Sequence, residues 1–274
     1  MEELSVCAFP SVPIISSRVP HWPLYFFFYH FPQVLGPDRT RDELIPFLSD
    51  SIGDDDAVLE VIAAQLGALS EHIGGQEHMP LLLPPLEQLA AIDDVKVREA
   101  AVASAKIVAS AMSDEAIIHH FVPCILKLAQ KSWFTSRISA ATLCPVAFQR
   151  SSDDAADKIR KVFVRKLCAD ATPMVRRVAA GAIPEMCRNA SFDSPTSLGS
   201  ELVDTAVQLS TDDQDSVRIQ AVPTIVALGE MIPSEIATAK LLPVVKMRGE
   251  DRSWRIRWSL ASCMPTVLSA LLGT

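Results

Sequence analysis

The sequence predicts an all-α chain folded as a solenoid of stacked helix pairs, and three observations predict it. A step ending in arginine recurs as Val97-Arg98, Ser136-Arg137, Val175-Arg176, Val217-Arg218 and Ile256-Arg257, at intervals of 39, 39, 42 and 39 residues. A proline inside an apolar segment runs with nearly the same period through Pro46, Pro85 and Pro123, at intervals of 39 and 38, and returns at Pro243. No stretch sustains the period-two alternation of a half-buried strand. Two markers sharing one period mean one structural unit repeated along the chain.

Each unit reads as two helices. The first carries the proline and apolar residues at helical spacing, as in Leu44, Phe47 and Leu48 or Leu82, Leu86 and Leu89. The second has its own stripe, as in Leu59, Ile62, Leu66 and Leu69. Acidic turns separate them: Asp54-Asp55-Asp56, Asp93-Asp94, Asp212-Asp213 and Asp251 supply side chains that cap a helix start. Gly74-Gly75 and Gly249 fall where helices should stop. A two-helix unit near this length is the HEAT class of repeat. One pair cannot bury its apolar faces alone, so the expectation is a right-handed superhelical array of about six pairs, at 39–76, 77–114, 115–152, 153–194, 195–232 and 233–273. Pro145, Pro184 and Pro265, each eight residues after a repeating arginine, and Pro223 should kink the second helices. Leu268, Leu271 and Leu272 close the last unit without a polar cap, which predicts a piece of a longer array or an end covered by a partner.

The chain divides into residues 1–35, to which no fold is assigned, and the repeat array at 36–274. Eight of the 17 Phe, Trp and Tyr residues crowd into 9–31, with neither helical nor strand period. The Tyr25–Phe31 run suits a hydrophobic arm, or pyrimidine-rich codons of intron origin ending near Gln33; the second reading is favoured, making 1–35 disordered or mis-annotated. It is too short and proline-broken for a membrane span and opens on Glu2 and Glu3, unlike a signal peptide.

Composition narrows the function. With 25 Lys and Arg against 33 Asp and Glu, the net charge of −8 argues against nucleic-acid binding through bulk charge. Cys7, Cys124, Cys144, Cys168, Cys187 and Cys263 are scattered without zinc spacing and read as free thiols in a reducing, cytoplasmic compartment, with the nucleus as a second address. No phosphate loop, dinucleotide fingerprint or nucleophile elbow occurs, and His119-His120, Glu71-His72 and Glu77-His78 lack metal-site contexts. The expectation is therefore no catalytic residue, no metal and no cofactor.

The turns carry a resemblance. Trp133-Phe134-Thr135-Ser136-Arg137, Thr172-Pro173-Met174-Val175-Arg176-Arg177, Asp212-Asp213-Gln214-Asp215-Ser216-Val217-Arg218 and Ser253-Trp254-Arg255-Ile256-Arg257 follow one another a repeat apart, with Leu83-Pro84-Pro85-Leu86-Glu87 and Arg39-Thr40-Arg41-Asp42-Glu43-Leu44 before them. From about Gly36 to Gly273 this resembles the scaffold (A, structural) subunit of the type 2A protein serine/threonine phosphatase. The resemblance implies a horseshoe of HEAT repeats whose amino-terminal half holds a regulatory (B-type) subunit through its intra-repeat turns. It implies that the half binding the catalytic subunit is not covered, so the catalytic subunit is not a direct partner. The contact residues it implies are Trp133 and Phe134, then Asp170, Thr172, Pro173 and Met174, then Asp213, Gln214, Asp215 and Ser216, then Trp254. One departure is Ala171 after Asp170, where the family has a second acid.

Read without the family, Trp133 and Trp254 lie among polar residues, as interface tryptophans do, or tuck under their own turns. Trp258 is expected in the core. The repeating arginines suit a ladder pairing with the aspartates of the preceding turn, or a binding stripe; Arg177, an extra, is a partner contact or solvated. The function expected is a non-catalytic scaffold for a phosphatase regulatory subunit, with no membrane or nucleic acid as partner. Its rivals are a generic HEAT adaptor, a HEAT-type hydroxylase with iron ligands, whose paired His-Glu spacing does not occur, and a gene fragment without full scaffold function.

Overall fold

A computed structural model describes residues 32–272 apart from 54, 189, 193, 195 and 196. The aromatic segment, Asp54 and the side chains of Leu271 and Leu272 lie outside what is described. Among the described residues there is no strand, and six helix pairs follow in order.

The first pair is α1, residues 32–50 with a π-helical turn at Thr40–Leu44, and α2, Asp56–Ala68. The second is a 3-10 segment Gln76–Leu82 leading into α3, Leu83–Leu89, then α4, Val95–Ala111. The third is α5, Asp114–Ala116 and Val122–Gln130 around a π turn at Ile117–Phe121, then α6, Phe134–Gln149. The fourth is α7, Asp153–Val162 closed by a π turn at Phe163–Leu167, then α8, Pro173–Cys187. The fifth is α9, Leu198–Ser210, and α10, Asp215–Met231. The sixth is α11, Ser234–Ile236 and Leu242–Gly249 around a π turn at Ala237–Leu241, then α12, Trp254–Ser262, and α13, Met264–Leu272.

The periodic prolines have a local reason. Pro46, Pro123 and Pro243 each stand at the second position of the α-helical segment that follows a π turn. Proline has no N–H and crowds the carbonyl four residues back. The wider i→i+5 turn ahead of it removes the need for that bond, so the helix continues through the proline. Gly74 ends the first pair at φ 93°, and a Cβ there would meet the Arg41 guanidinium, which donates to the carbonyl of Ile73 at 2.7 Å.

The core is one continuous strip running the length of the array, with Leu48, Leu66, Leu86, Phe121, Ile125, Phe163, Ile183, Leu202, Val217 and Ile256 buried along it. Successive second helices pack directly on one another at small residues. A Cβ on Gly67 of α2 would lie 2.6–3.0 Å from Ser104 of α4, so Gly67 is required by that close crossing. Three of the expected kinks do not break their helices: α6, α8 and α10 run on through Pro145, Pro184 and Pro223. Only Pro265 coincides with an interruption, at Cys263 between α12 and α13. At Pro184 the reason is visible. The carbonyl of Ala180, which Pro184 leaves without its helical donor, accepts from the Thr224 hydroxyl of the next repeat at 2.9 Å.

Candidate functional site: the ridge of turns

The turns within repeats stack side by side because arginines lace them together. Arg137 Nη1 donates to the carbonyl of Lys131 in its own turn, while Nε and Nη2 grip Asp170 of the following turn at 2.7 and 3.0 Å. Arg176 does the same, with Nη1 on the carbonyl of Asp170 and a fork on Asp212 at 2.7 and 2.8 Å. Arg218 bonds the carbonyls of Asp212 and Asp213 and forks onto Asp251 at 3.1 and 3.3 Å. Each aspartate also accepts from the N–H two residues on, at Thr172, Gln214 and Ser253, and so caps its own turn. The ladder therefore exists, but its direction is the reverse of the expectation. The carboxylate comes from the following repeat, and the preceding turn contributes backbone carbonyls. The arginine lies one turn into the second helix, and stacking of the repeats places its side chain over the next turn.

These pairs are covered. The Asp170 side chain is 6% exposed, and Arg218 with Asp251 is buried more deeply still. Burial alone would raise the three carboxyls, but the guanidinium forks and turn N–H groups pull harder, holding all three below the usual carboxylate range. Bidentate, charge-assisted bonds of this kind fix the angle between neighbouring turns as well as holding them. At the last joint Asp251 is shared with Arg248, whose Nε is buried with no hydrogen bond among the described residues.

The second joint is built differently. Six residues before Arg137, where the other turns carry the ladder aspartate, stands Lys131, and its ammonium turns away to Glu87 at 3.1 Å. Hydroxyls and an indole replace the ladder here. Thr135 and Ser139 of α6 donate to the carbonyls of Ala91 and Ala90 at 3.1 and 2.6 Å, and Trp133 Nε1 donates to Asp93. On the opposite edge of the array, Arg150 closes the same two repeats by binding the carbonyls of Ala109 and Met112 and the carboxylate of Asp114.

The ridge brings the expected contact residues into one line but does not expose them equally. Trp133 (55% exposed), Met174, Arg177, Asp213, Gln214 and Trp254 (63%) stand on the surface. Phe134, Thr172, Pro173, Asp215 and Ser216 are half-buried. Asp170 is turned inward, with both carboxylate oxygens engaged within the chain. Trp254 lies beneath the Arg255 guanidinium, 5.7 Å from its ring centre. Trp258 is not a core residue: it is 66% exposed. Ile256 and Leu260 are the buried positions of α12, and a residue two away from each faces the opposite side of the helix. Sequence reasoning missed Lys131, Glu87, Ser139 and Arg150; the lysine had a signal, since Asp170, Asp212 and Asp251 all stand six residues before a ladder arginine.

Chemistry other than binding has little material here. Among the described residues no group of three or more His, Cys, Asp or Glu is placed to hold a metal ion. Burial pushes the Cys187 thiol up to about 12, and burial with the nearby Glu87 does the same for Cys124, so neither is a ready nucleophile. No described helix is long and apolar enough to cross a membrane.

The architecture is an α-solenoid of the HEAT and armadillo kind. Solved structures agree on the fold: Kap121p bound to Nup53p superposes with a TM-score of 0.69 at 14% identity over 90% of this chain and 28% of its own, and Cex1p with 0.59 at 15% over 93% and 46%. No protein-family model matches the chain. In sequence, the array is a relative of the PP2A regulatory A subunits of protein phosphatase. It is 39% identical over 233 residues to the PP2A regulatory A subunit of Schizosaccharomyces pombe, a match taking in 83% of this chain and 38% of that protein. The beta isoform of the 65 kDa regulatory A subunit of Rattus norvegicus is 44% identical over 160 residues, 58% of this chain and 26% of its own length. The PP2A regulatory A subunit of Saccharomyces cerevisiae is 36% identical over 235 residues, 83% of this chain and 37% of its own. The chain thus spans well under half the length of these relatives.

Proposed function

We propose that this chain is a non-catalytic scaffold that presents its ridge of turns to a regulatory (B-type) subunit of a PP2A-type phosphatase, without holding the catalytic subunit itself. The observation that carries the reading is the laced ridge. Trp133, Met174, Arg177, Asp213, Gln214 and Trp254 are exposed along turns whose spacing is fixed by buried Arg–Asp forks, on a chain related to PP2A regulatory A subunits. Exposed tryptophans on a rigid frame are the residue type that dominates interface energies. A cytoplasmic and nuclear setting goes with this reading, supported by the buried, unpaired thiols of Cys144, Cys168 and Cys187.

The test is a binding titration of the whole chain against purified regulatory and catalytic subunits, with Trp254→Ala alongside. Binding to only the regulatory subunit, weakened about tenfold by the substitution, is the expected result. A folded chain that binds no regulatory subunit, or binds the catalytic subunit directly, overturns it.

A further inference from the structure

The joint between the second and third repeats lacks the ladder carboxylate but keeps the arginine. Arg98 donates through Nη1 to the carbonyls of Ile92 and Asp93, both at 3.1 Å, as the other ladder arginines do to their own turns. Among the described residues no carboxylate meets its Nε and Nη2. At the next three joints that edge of the fork holds Asp170, Asp212 and Asp251. The two residues whose carbonyls Arg98 holds, Ile92 and Asp93, line an open groove of about 640 Å³ between the two turns, with Ala91, Lys131, Trp133 and Ser136.

Two further features of the groove point to an anion. Ser136 lines the groove, is 1% exposed and makes no side-chain hydrogen bond among the described residues. Lys131 and Lys127 share the single carboxylate of Glu87, at 3.1 and 2.9 Å, so that these two lysines and Arg98 together face only the carboxylates of Glu87 and Asp93, one positive charge in excess. The one acid lining the groove, Asp93, is occupied by the Trp133 indole and, at 3.4 Å, by the Thr135 hydroxyl. Trp133 forms an apolar wall beside the cations.

We propose that this groove docks an aspartate or glutamate of an extended acidic protein segment, its carboxylate taken by Arg98, Lys131 and Ser136 and an adjoining apolar side chain packed on Trp133. The partner's carboxylate completes the ladder at a joint whose arginine meets no carboxylate among the described residues. The inference deepens the ridge reading and rests on it only for which protein carries the segment. The three intact joints are the template for the geometry: a bidentate fork on a carboxylate in a water-poor cleft between turns.

The experiment is a fluorescence-anisotropy titration of the whole chain at low salt with two fluorescein-labelled peptides, one with an Asp-Leu-Asp-Asp-Phe centre and one with every Asp replaced by Asn. The expected result is at least fivefold tighter binding of the acidic peptide. Lys131→Asp installs the missing carboxylate in cis, leaves Glu87 to Lys127 alone, and should bring the preference within twofold. Ser136→Ala, nearly isosteric, should weaken the acidic peptide two- to threefold at unchanged Tm. Lys158→Asp, an equal charge change on the remote α7, should leave the preference intact, which separates docking from general electrostatics. Equal binding of both peptides, or a preference that survives Lys131→Asp, overturns the proposal. Since no phosphatase component is involved, this outcome is independent of whether the regulatory subunit binds.

Discussion

At the scale of single residues, the Arg–Asp forks set both the strength and the angle of the ridge. Arg218 and Asp251 are the most deeply buried pair, and removing Arg218 breaks the fork between the two turns and leaves Asp251 to Arg248 alone. Arg218→Ala should therefore destabilise the chain by about 3 kcal/mol, read from urea unfolding. Arg218→Lys keeps the charge but loses the two-pronged bond, and should recover less than half of that. A loss under ~1 kcal/mol for the alanine variant would mean that the pair only replaces solvent contacts of equal worth. The same residues show what a sequence reveals and what it conceals. The arginine period is plain, because a recurring spacing needs no structure to be seen. The direction of pairing is not, because spacing along a chain does not tell which neighbouring turn a long side chain overhangs. Trp258 is misplaced by sequence for a related reason: helical phase relative to Ile256 and Leu260 decides its exposure, and its apolar character does not.

At the scale of elements, α8 runs on through Pro184 because the adjacent repeat supplies a substitute donor. Thr224 in α10 donates to the Ala180 carbonyl in α8, the acceptor that Pro184 cannot serve. Thr224→Val should cost about 1–2 kcal/mol, the price of a buried carbonyl left without a partner. In the background of Pro184→Ala, which restores the helical N–H, the same substitution should cost far less. The double-mutant cycle measured by chemical denaturation should give a coupling of roughly 1 kcal/mol; additive losses would show that the hydroxyl and the proline act separately. Sequence reasoning locates all four internal prolines but expects each to soften its helix. It has no access to Thr224, which sits 40 residues after Pro184, one repeat away, and enters only once the repeats are stacked. The six helix pairs themselves are legible, since apolar stripes at helical spacing and capping aspartates are local features. The π turns ahead of Pro46, Pro123 and Pro243 are not, because proline alone does not say how the preceding turn opens to admit it.

At the scale of the whole molecule, a solenoid holds together through contacts between neighbouring repeats, so its weakest joints decide how it comes apart. From the second onward the joints fall into two kinds. Those after the third, fourth and fifth repeats each rest on a buried carboxylate held by arginine, while the second joint rests on hydroxyls, an indole and the cations around Glu87. Asp170, Asp212 and Asp251 all have their folded pKa below the unfolded value of about 3.9. A carboxyl with a depressed folded pKa contributes stability that is fully present above its unfolded pKa and is lost as pH falls through the folded one. The forks should therefore contribute a constant amount from pH 7 to about 5 and fade progressively below about 4. Hydrogen exchange at graded acid pH should show amides of α8, α10 and α12 losing protection before those of α2 and α4, whose close crossing at Gly67 and Ser104 involves no ion pair. The ridge of turns from Trp133 to Trp254 would then loosen with the first two repeats still folded. Uniform loss of protection along the array, or earlier loss in α2 and α4, would mean that apolar packing between second helices, common to every joint, governs cohesion and that the forks serve only to set the spacing of the turns.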